Sequence, residues 1–188
     1  MWDDVVMINL LVPPLLFPYF LEWRTGNYVE AALLSLLVLV ALCYKGLKNK
    51  FVIDWSVACG FVLIAGVSYV QPSFFSLSFT KPLIYGLLAI AGWVSYYVGK
   101  PFTLQYARLE TPREFWNTPP FIHINKKITL VWNAVFTLNF GFALASLTDV
   151  DDWPIYLLMS YFTILCAVVF TQKYPDVYLA QGERNRAL

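Results

Sequence analysis

The sequence has few charged residues, three cysteines and one histidine. Only 13% of its 188 residues are Asp, Glu, Lys or Arg, and 59% are apolar, whereas soluble domains average about 25% charged and about 45–50% apolar residues. The net charge of +1 provides no strongly basic surface for nucleic acids. This composition excludes a soluble enzyme, a disordered tail and a nucleic-acid-binding protein. It is typical of an integral membrane protein.

The pattern of cysteine and histidine argues against a metal site. Cys43, Cys59 and Cys166 lie in apolar segments without a Cys-x-x-Cys pair, and His123 has no ligand cluster around it. A metal site needs several such ligands at set spacing, so we predict no metal and no cofactor, and thiols that act as small apolar groups. Phosphate-binding glycine loops and Gly-x-Ser-x-Gly are also missing. We therefore predict that the chain is not an enzyme.

Six continuous apolar segments approach the ~20 residues with which a helix crosses the hydrocarbon core of a bilayer. We predict an all-α membrane protein with one polytopic domain over residues 1–188. Its six transmembrane helices are expected at about 5–21, 28–44, 51–70, 82–99, 128–147 and 154–172. The acidic residues before the first segment lack the basic character of a cleaved signal peptide, so we expect that segment to be retained.

Helix-starting residues stand at several of these boundaries. Residues 27–30 (Asn-Tyr-Val-Glu) have the pattern of a capping box at the start of the second span. Residues 80–82 (Thr-Lys-Pro) and 152–154 (Asp-Trp-Pro) place a capping side chain ahead of a proline, which is common in the first turn of a helix. These patterns predict where the second, fourth and sixth spans begin.

The distribution of Lys and Arg predicts the orientation of the chain. With six spans, 11 of the 13 basic residues fall in the loops 45–50 and 100–127 or in the tail 173–188. Cytoplasmic loops carry such an excess of Lys and Arg. We therefore predict that both termini and these loops are cytoplasmic, and that residues 71–81 and 148–153 lie on the other side.

The longest loop, residues 100–127, is predicted to contain a short interfacial helix. Residues 111–114 (Thr-Pro-Arg-Glu) form a second capping box, and aromatic residues follow. We expect Trp116, Lys126 and Lys127 to lie at the lipid interface, with anionic headgroups as partners. A gate or a docking site is the alternative, and a second copy of the chain or other envelope proteins are further candidate partners.

Proline interrupts the first predicted span. Pro13 and Pro14 leave the carbonyls of Asn9 and Leu10 without helical donors, so we expect a bend of more than ~20° near residues 10–14. The bend is either a kink packed against neighbouring helices or a broken helix of the kind that binds solutes in transporters. The fourth span has no matching interruption, which favours the packed kink.

Polar side chains of the fifth predicted span can donate hydrogen bonds to the carbonyls that these prolines leave without helical donors. Asn133 and Thr137 are four residues apart and share a helix face, and the amides of Asn133 and Asn139 can donate to the first span. The candidate ligand-binding residues are therefore Asn9, Pro13, Pro14, Asn133, Thr137 and Asn139.

Asp54 is a carboxylate at the predicted cytoplasmic start of the third span, four residues after Lys50. The helix dipole and a lysine at this spacing both stabilise an acidic side chain there. We interpret Asp54 as structurally paired with Lys50, and a role in proton or ion movement is the alternative.

Several segments carry a family resemblance. Residues 83–89 (Leu-Ile-Tyr-Gly-Leu-Leu-Ala) lead to residues 99–102 (Gly-Lys-Pro-Phe), a loop with Trp116, and residues 129–136 (Thr-Leu-Val-Trp-Asn-Ala-Val-Phe). Together with residues 14–17 (Pro-Leu-Leu-Phe), this pattern resembles the intracellular septation protein A family of small bacterial inner-membrane proteins. Thr129 replaces an Asn of the family pattern, the 100–127 loop is longer, and six spans are expected instead of five.

The resemblance implies a bacterial inner-membrane location and a role in envelope integrity, septation and membrane-lipid homeostasis, without defined catalytic residues. The expected function is therefore that of a non-enzymatic, multi-pass inner-membrane protein that supports cell-envelope and membrane-lipid organisation. The alternative is a small-solute or ion transporter or channel with its site at the Pro13-Pro14 break.

Overall fold

The computed structural model describes residues 27–71, 77–148 and 153–186. The helices are α1 (Tyr28–Leu42), α2 (Tyr44–Lys48), α3 (Val52–Val70), α4 (Leu77–Tyr97), α5 (Thr103–Glu110), α6 (Pro119–Thr148) and α7 (Trp153–Arg186), with a 3₁₀ turn at Arg113–Phe115. These described ranges contain helices and turns but no strand. The predicted all-α class is therefore confirmed for them.

Three helices are long and apolar enough to cross a membrane: α3, α6, and α7 over Pro154–Gly182. This supports the predicted membrane class. Six spans are not supported by the described residues. The first predicted span, 5–21, lies outside them, α1 has only 15 residues where about 20 are needed, and the first turns of α4 contain Thr80 and Lys81, which lower its apolar character.

Several helices begin or end a turn or more outside the predicted spans. Helix α4 begins at Leu77, so the prediction that Pro82 lies in its first turn is wrong. Helix α6 begins at Pro119, before the predicted span 128–147, and α7 continues through Pro175 to Arg186, beyond the predicted span 154–172. The predictions ended each span where charged residues begin, but Lys, Arg and Gln are good helix formers, so a helix continues into water.

The start of α1 is as predicted. The Asn27 side-chain oxygen accepts hydrogen bonds from the backbone N–H groups of Val29 (3.0 Å) and Glu30 (3.4 Å). The Asn27 amide donates to the Glu30 carboxylate at 3.3 Å. The capping side chain therefore satisfies N–H groups that the first turn of a helix leaves open.

The predicted interfacial helix lies at a different place in the 100–127 loop. Helix α5 covers Thr103–Glu110 and buries Thr103, Leu104, Tyr106 and Ala107, so it packs into the protein instead of lying on its surface. Helix α5 ends at Thr111, whose backbone is extended (φ −101°, ψ 133°) because Pro112 follows it. The capping-box pattern at 111–114 therefore yields only a 3₁₀ turn before α6 begins.

Successive long helices are neighbours: α1 packs on α3, α3 on α4, α4 on α6 and α6 on α7. Helices α4 and α6 are antiparallel, since Gly86 faces Phe140 and Gly92 faces Asn133. The buried apolar core lies between these helices, and its largest fully buried side chains include Leu39, Ile53, Phe61, Ile84, Ile128, Trp132 and Phe136.

Helix α5 closes one end of the bundle. The Gln105 side-chain oxygen accepts a hydrogen bond from the Val52 N–H at 3.0 Å, in the first turn of α3. The Thr103 hydroxyl donates to the Asn125 carbonyl at 2.8 Å, near the start of α6. The loop between α4 and α6 is therefore tied to the starts of two candidate spans.

Candidate functional site

Polar side chains form a stripe along α6 at four-residue intervals: Asn125, Thr129, Asn133 and Thr137. The first three are buried, whereas Thr137 is exposed. Residues at this spacing share one helix face, and here the face contacts α5 near Thr129 and α4 near Asn133. The stripe therefore runs from the α5 end of the bundle into its interior.

The outer part of the stripe is hydrogen-bonded to α5. The hydroxyls of Thr103 and Thr129 lie 2.7 Å apart, and the Asn125 amide donates to the Phe121 carbonyl at 2.9 Å. The Asn125 side-chain oxygen has no partner among the described residues. This part of the stripe therefore joins α5 to α6 and leaves one acceptor open.

Asn133 is the residue of the stripe whose side chain has the most unsatisfied hydrogen-bonding groups among the described residues. It is 0% exposed, and within the described ranges neither its amide nitrogen nor its oxygen has a hydrogen-bond partner. The oxygen packs directly against Gly92 of α4, where any Cβ would overlap it. An unsatisfied buried polar group costs about 1–3 kcal/mol, so a water, a solute or a segment outside the described ranges is required to satisfy Asn133.

Thr137 connects α4 to α6. Its hydroxyl accepts a hydrogen bond from the Trp93 indole N–H at 3.0 Å and donates to the Asn133 carbonyl at 2.8 Å. The hydroxyl proton is therefore already in use. Thr137 was predicted as a ligand-binding residue, and in the structure its contacts are those of a packing residue.

Asn139 faces α7, not the stripe. Its amide donates to the Val135 carbonyl (2.8 Å) and to the Thr163 hydroxyl (2.9 Å), and its oxygen accepts from the Ser160 hydroxyl. Both amide protons are occupied, so the prediction that Asn139 donates to the first span is wrong. The reason is geometric, because Asn139 lies six residues after Asn133 and therefore on a different face of a 3.6-residue helix.

The remaining predicted ligand-binding residues, Asn9, Pro13 and Pro14, lie outside the described residues, as does the predicted bend of the first span. The pairing of Asn133 with the Asn9 or Leu10 carbonyl therefore stays a prediction. Of the predicted set, the described structure leaves only Asn133 with an open amide.

Asp54 forms a second polar site, at the end of the bundle closed by α5. Its carboxylate is 1% exposed and accepts a hydrogen bond from the Tyr106 hydroxyl at 3.0 Å. Gly46 of α2 packs so closely that a Cβ there would overlap the carboxylate. The site is thus built from three elements: α2, the first turn of α3, and α5.

The predicted pairing of Asp54 with Lys50 is replaced by the bond from Tyr106. Lys50 precedes α3, is exposed and has a φ of 58°. Four-residue spacing brings side chains together only within a continuous helix, and a left-handed residue before Val52 breaks that continuity. Asp54 therefore receives a neutral hydrogen-bond donor from a distant part of the chain.

The hydrogen-bond donor to Asp54 is a neutral group. Burial, with the nearby Asp54 carboxylate, raises the pKa of the Tyr106 phenol well above its usual value. The phenol keeps its proton at neutral pH, so Tyr106 is a permanent hydrogen-bond donor to this buried acid. Within the described ranges, no group of three or more His, Cys, Asp or Glu side chains is placed to hold a metal ion.

The predicted interfacial residues lie at this same end. Trp116 is half-buried, and its indole N–H donates to the Thr111 carbonyl at 2.8 Å. Lys126 and Lys127 are exposed in the early turns of α6. The exposed His123 ring stacks on Tyr178 of α7, with centroids 4.8 Å apart, so the start of α6 and the late part of α7 lie side by side.

Sequence reasoning missed the residues of α5 that build these contacts, above all Thr103, Gln105 and Tyr106. A signal was present in the sequence: Thr103, Tyr106 and Ala107 follow the three- and four-residue spacing of a buried helix face. Comparison of the chain with models of protein families, with curated proteins and with solved structures finds no match.

Proposed function

We propose that this chain is a non-enzymatic, multi-pass membrane protein that supports membrane-lipid and cell-envelope organisation by binding anionic headgroups at one end of its helical bundle. The supporting observation is the collection of exposed basic side chains at that end. The resemblance to the septation protein A family adds the rest of the proposal: a bacterial inner membrane, and a role in septation and envelope integrity.

Helix packing brings these basic residues together from distant parts of the sequence. The end of α4, the starts of α3 and α6, and the late part of α7 all meet near α5. Ten exposed basic residues are described in these elements and their connections: Lys45, Lys48, Lys50, Lys100, Arg108, Arg113, Lys126, Lys127, Lys173 and Arg184. The start of α4, at the opposite end, has Lys81, which is half-buried.

The positive charge of this end is complementary to the negative charge of a cytoplasmic leaflet. Lys and Arg beside a membrane each contribute about 1 kcal/mol of attraction to anionic lipid, and cytoplasmic loops are rich in both. The proposal therefore includes six spans, with α1, α4 and the 5–21 segment added to the three long apolar helices, and cytoplasmic termini. A second copy of the chain and other envelope proteins are additional proposed partners.

Native mass spectrometry of the full chain in mixed anionic and zwitterionic lipids tests the proposal. We expect retention of anionic lipid, and weaker retention after Lys126→Gln and Lys127→Gln. The matched control is Lys126→Arg with Lys127→Arg, which keeps the charge and should keep the lipid. Equal retention of both lipid classes, unchanged by the Gln variants, would contradict the proposal.

A second candidate function is supported by Asn133. We propose as the alternative that a small solute or ion passes close to this residue, whose buried amide has no described partner, with the Pro13-Pro14 break as the other part of the site. Flux assays in vesicles containing the purified chain test this candidate. Solute or ion flux that Asn133→Ala abolishes would support it, and vesicles as tight as protein-free controls would exclude it.

A further inference from the structure

A tryptophan with two arginines beside it stands out among the exposed basic residues. The Arg108 and Arg113 guanidinium carbons lie 5.2 Å and 5.7 Å from the centroid of the Trp116 ring, within the ~6 Å of a cation–π contact. The ring itself is fixed by the bond from its N–H to the Thr111 carbonyl. Two positive charges therefore lie beside one anchored ring.

The two guanidinium groups have unused hydrogen-bonding capacity. Neither Arg108 nor Arg113 forms an ion pair or a hydrogen bond through its side chain within the described ranges, although the exposed Glu110 and Glu114 are close to them in sequence. A guanidinium has five N–H donors in a planar fork that matches phosphate oxygens. Both forks lie beside the same ring, so a phosphate bound there can accept hydrogen bonds from them.

The neighbours of these arginines indicate a lipid phosphate instead of a soluble one. Leu109 is 50% exposed and Phe115 is 48% exposed, so apolar side chains project from the same segment as the cations. Helix α5 is tied to the starts of α3 and α6, which places residues 108–116 where two candidate spans begin. Apolar and cationic side chains together at this level are typical of segments that lie in the headgroup layer.

We propose that Arg108, Trp116 and Arg113 form a binding site for the phosphate group of an anionic phospholipid. This inference rests on the proposed binding of anionic lipid and assigns it to a defined site. The arginines bind the phosphate oxygens, Trp116 keeps the two guanidinium groups together, and Leu109 and Phe115 contact the acyl-chain boundary. Lys126 and Lys127 differ from this site in attracting the leaflet as separate point charges.

Arg→Lys variants provide the test, because lysine keeps the charge but loses the planar fork. Native mass spectrometry of the full chain in phosphatidylcholine with added phosphatidylglycerol would measure how much anionic lipid stays bound. We expect Arg108→Lys with Arg113→Lys to reduce that amount by about tenfold, as expected for the loss of hydrogen bonds between charged groups. Lys81→Arg, at the start of α4 and the opposite end of the bundle, should leave it unchanged, and circular dichroism should show equal helix content in all variants.

The outcomes separate this inference from the proposed function. If the unmodified chain retains no anionic lipid in preference to phosphatidylcholine, the proposed function and this inference both fail. If it does retain anionic lipid and the Arg→Lys pair retains as much, only this inference fails. Inorganic phosphate in the same experiment should not displace the lipid, and displacement at millimolar concentration would show a soluble phosphate as the ligand.

Discussion

Asp54 and Asn133 are polar residues buried in the same bundle with opposite hydrogen-bonding states. Asp54 accepts a bond from Tyr106, which lies 52 residues further along the chain. Asn133 has no partner among the described residues. A satisfied buried group stabilises a fold, whereas an unsatisfied one costs its full desolvation free energy. Single substitutions at the two sites should therefore change the free energy of unfolding by different amounts.

Tyr106→Phe removes the hydroxyl that donates to the buried Asp54 carboxylate. We expect the free energy of unfolding to fall by about 1.5–3 kcal/mol, the range for hydrogen bonds to charged groups, when it is measured by denaturation in detergent. Tyr44→Phe is the matched control, since Tyr44 is exposed and should change stability little. Equal stability of the two variants would contradict the described Asp54–Tyr106 bond.

Asn133→Ala tests whether the buried amide has a partner in the complete chain. If the amide donates to the Asn9 or Leu10 carbonyl, the substitution should lower stability by roughly 0.6 kcal/mol, the average for an interhelical hydrogen bond in a membrane. We expect this result, because a packed kink is the favoured interpretation of the first span. A gain in stability would show that Asn133 has no such partner.

Between elements, α4 and α6 are in direct contact where Gly92 meets Asn133. The Asn133 oxygen occupies the place that a Cβ on Gly92 would take, so this contact depends on the absence of a side chain. Small residues allow such close approach between membrane helices. A side chain larger than hydrogen at position 92 is therefore incompatible with the present position of Asn133.

Gly92→Ala should force the two helices apart or displace the Asn133 side chain. We expect a loss of about 1–3 kcal/mol, as for overpacking elsewhere, and partial recovery in the double variant with Asn133→Ala, which removes the overlapping group. Thermal unfolding in detergent measures both effects. Gly141→Ala is the control, since a Cβ there meets nothing within 4 Å, and a similar loss in that variant would contradict the packing argument.

At the scale of the whole molecule, the positions of the exposed basic residues predict how the protein is oriented in the membrane. Helix packing gathers ten exposed basic side chains at the end that α5 closes. An end of this kind is expected on the cytoplasmic side of a membrane. Orientation is therefore the property of the complete protein that most directly tests the proposal.

Cysteine labelling of intact cells measures that orientation. In a chain whose native cysteines are replaced by Ala, we expect a membrane-impermeant reagent to label Val150→Cys directly and Lys127→Cys only after the membrane is permeabilised. The two positions lie in connections predicted on opposite sides, so each is a control for the other. The reverse pattern would overturn the predicted orientation, and labelling of both in intact cells would overturn the span count.

The membrane class and the approximate location of the described helices follow from local patterns of residues. Predicted span 51–70 corresponds to Val52–Val70, and the Asn27 cap is where its pattern indicated. Apolar length and capping are local properties, which neighbouring residues along one segment are sufficient to specify. The start of α6 and the end of α7 lie outside the predicted spans for the same reason, since a helix can change polarity along its length without changing its backbone.

Which side chains meet depends on how the helices pack against one another. Tyr106 reaches Asp54 because α5 folds back on the start of α3, and Asn133 and Asn139 separate because α6 packs on α4 with one face and on α7 with another. Such contacts depend on the rotation and separation of whole helices, which no single segment encodes. Two arginines beside one tryptophan likewise arise from the turn that follows α5, where a capping-box pattern had predicted a helix.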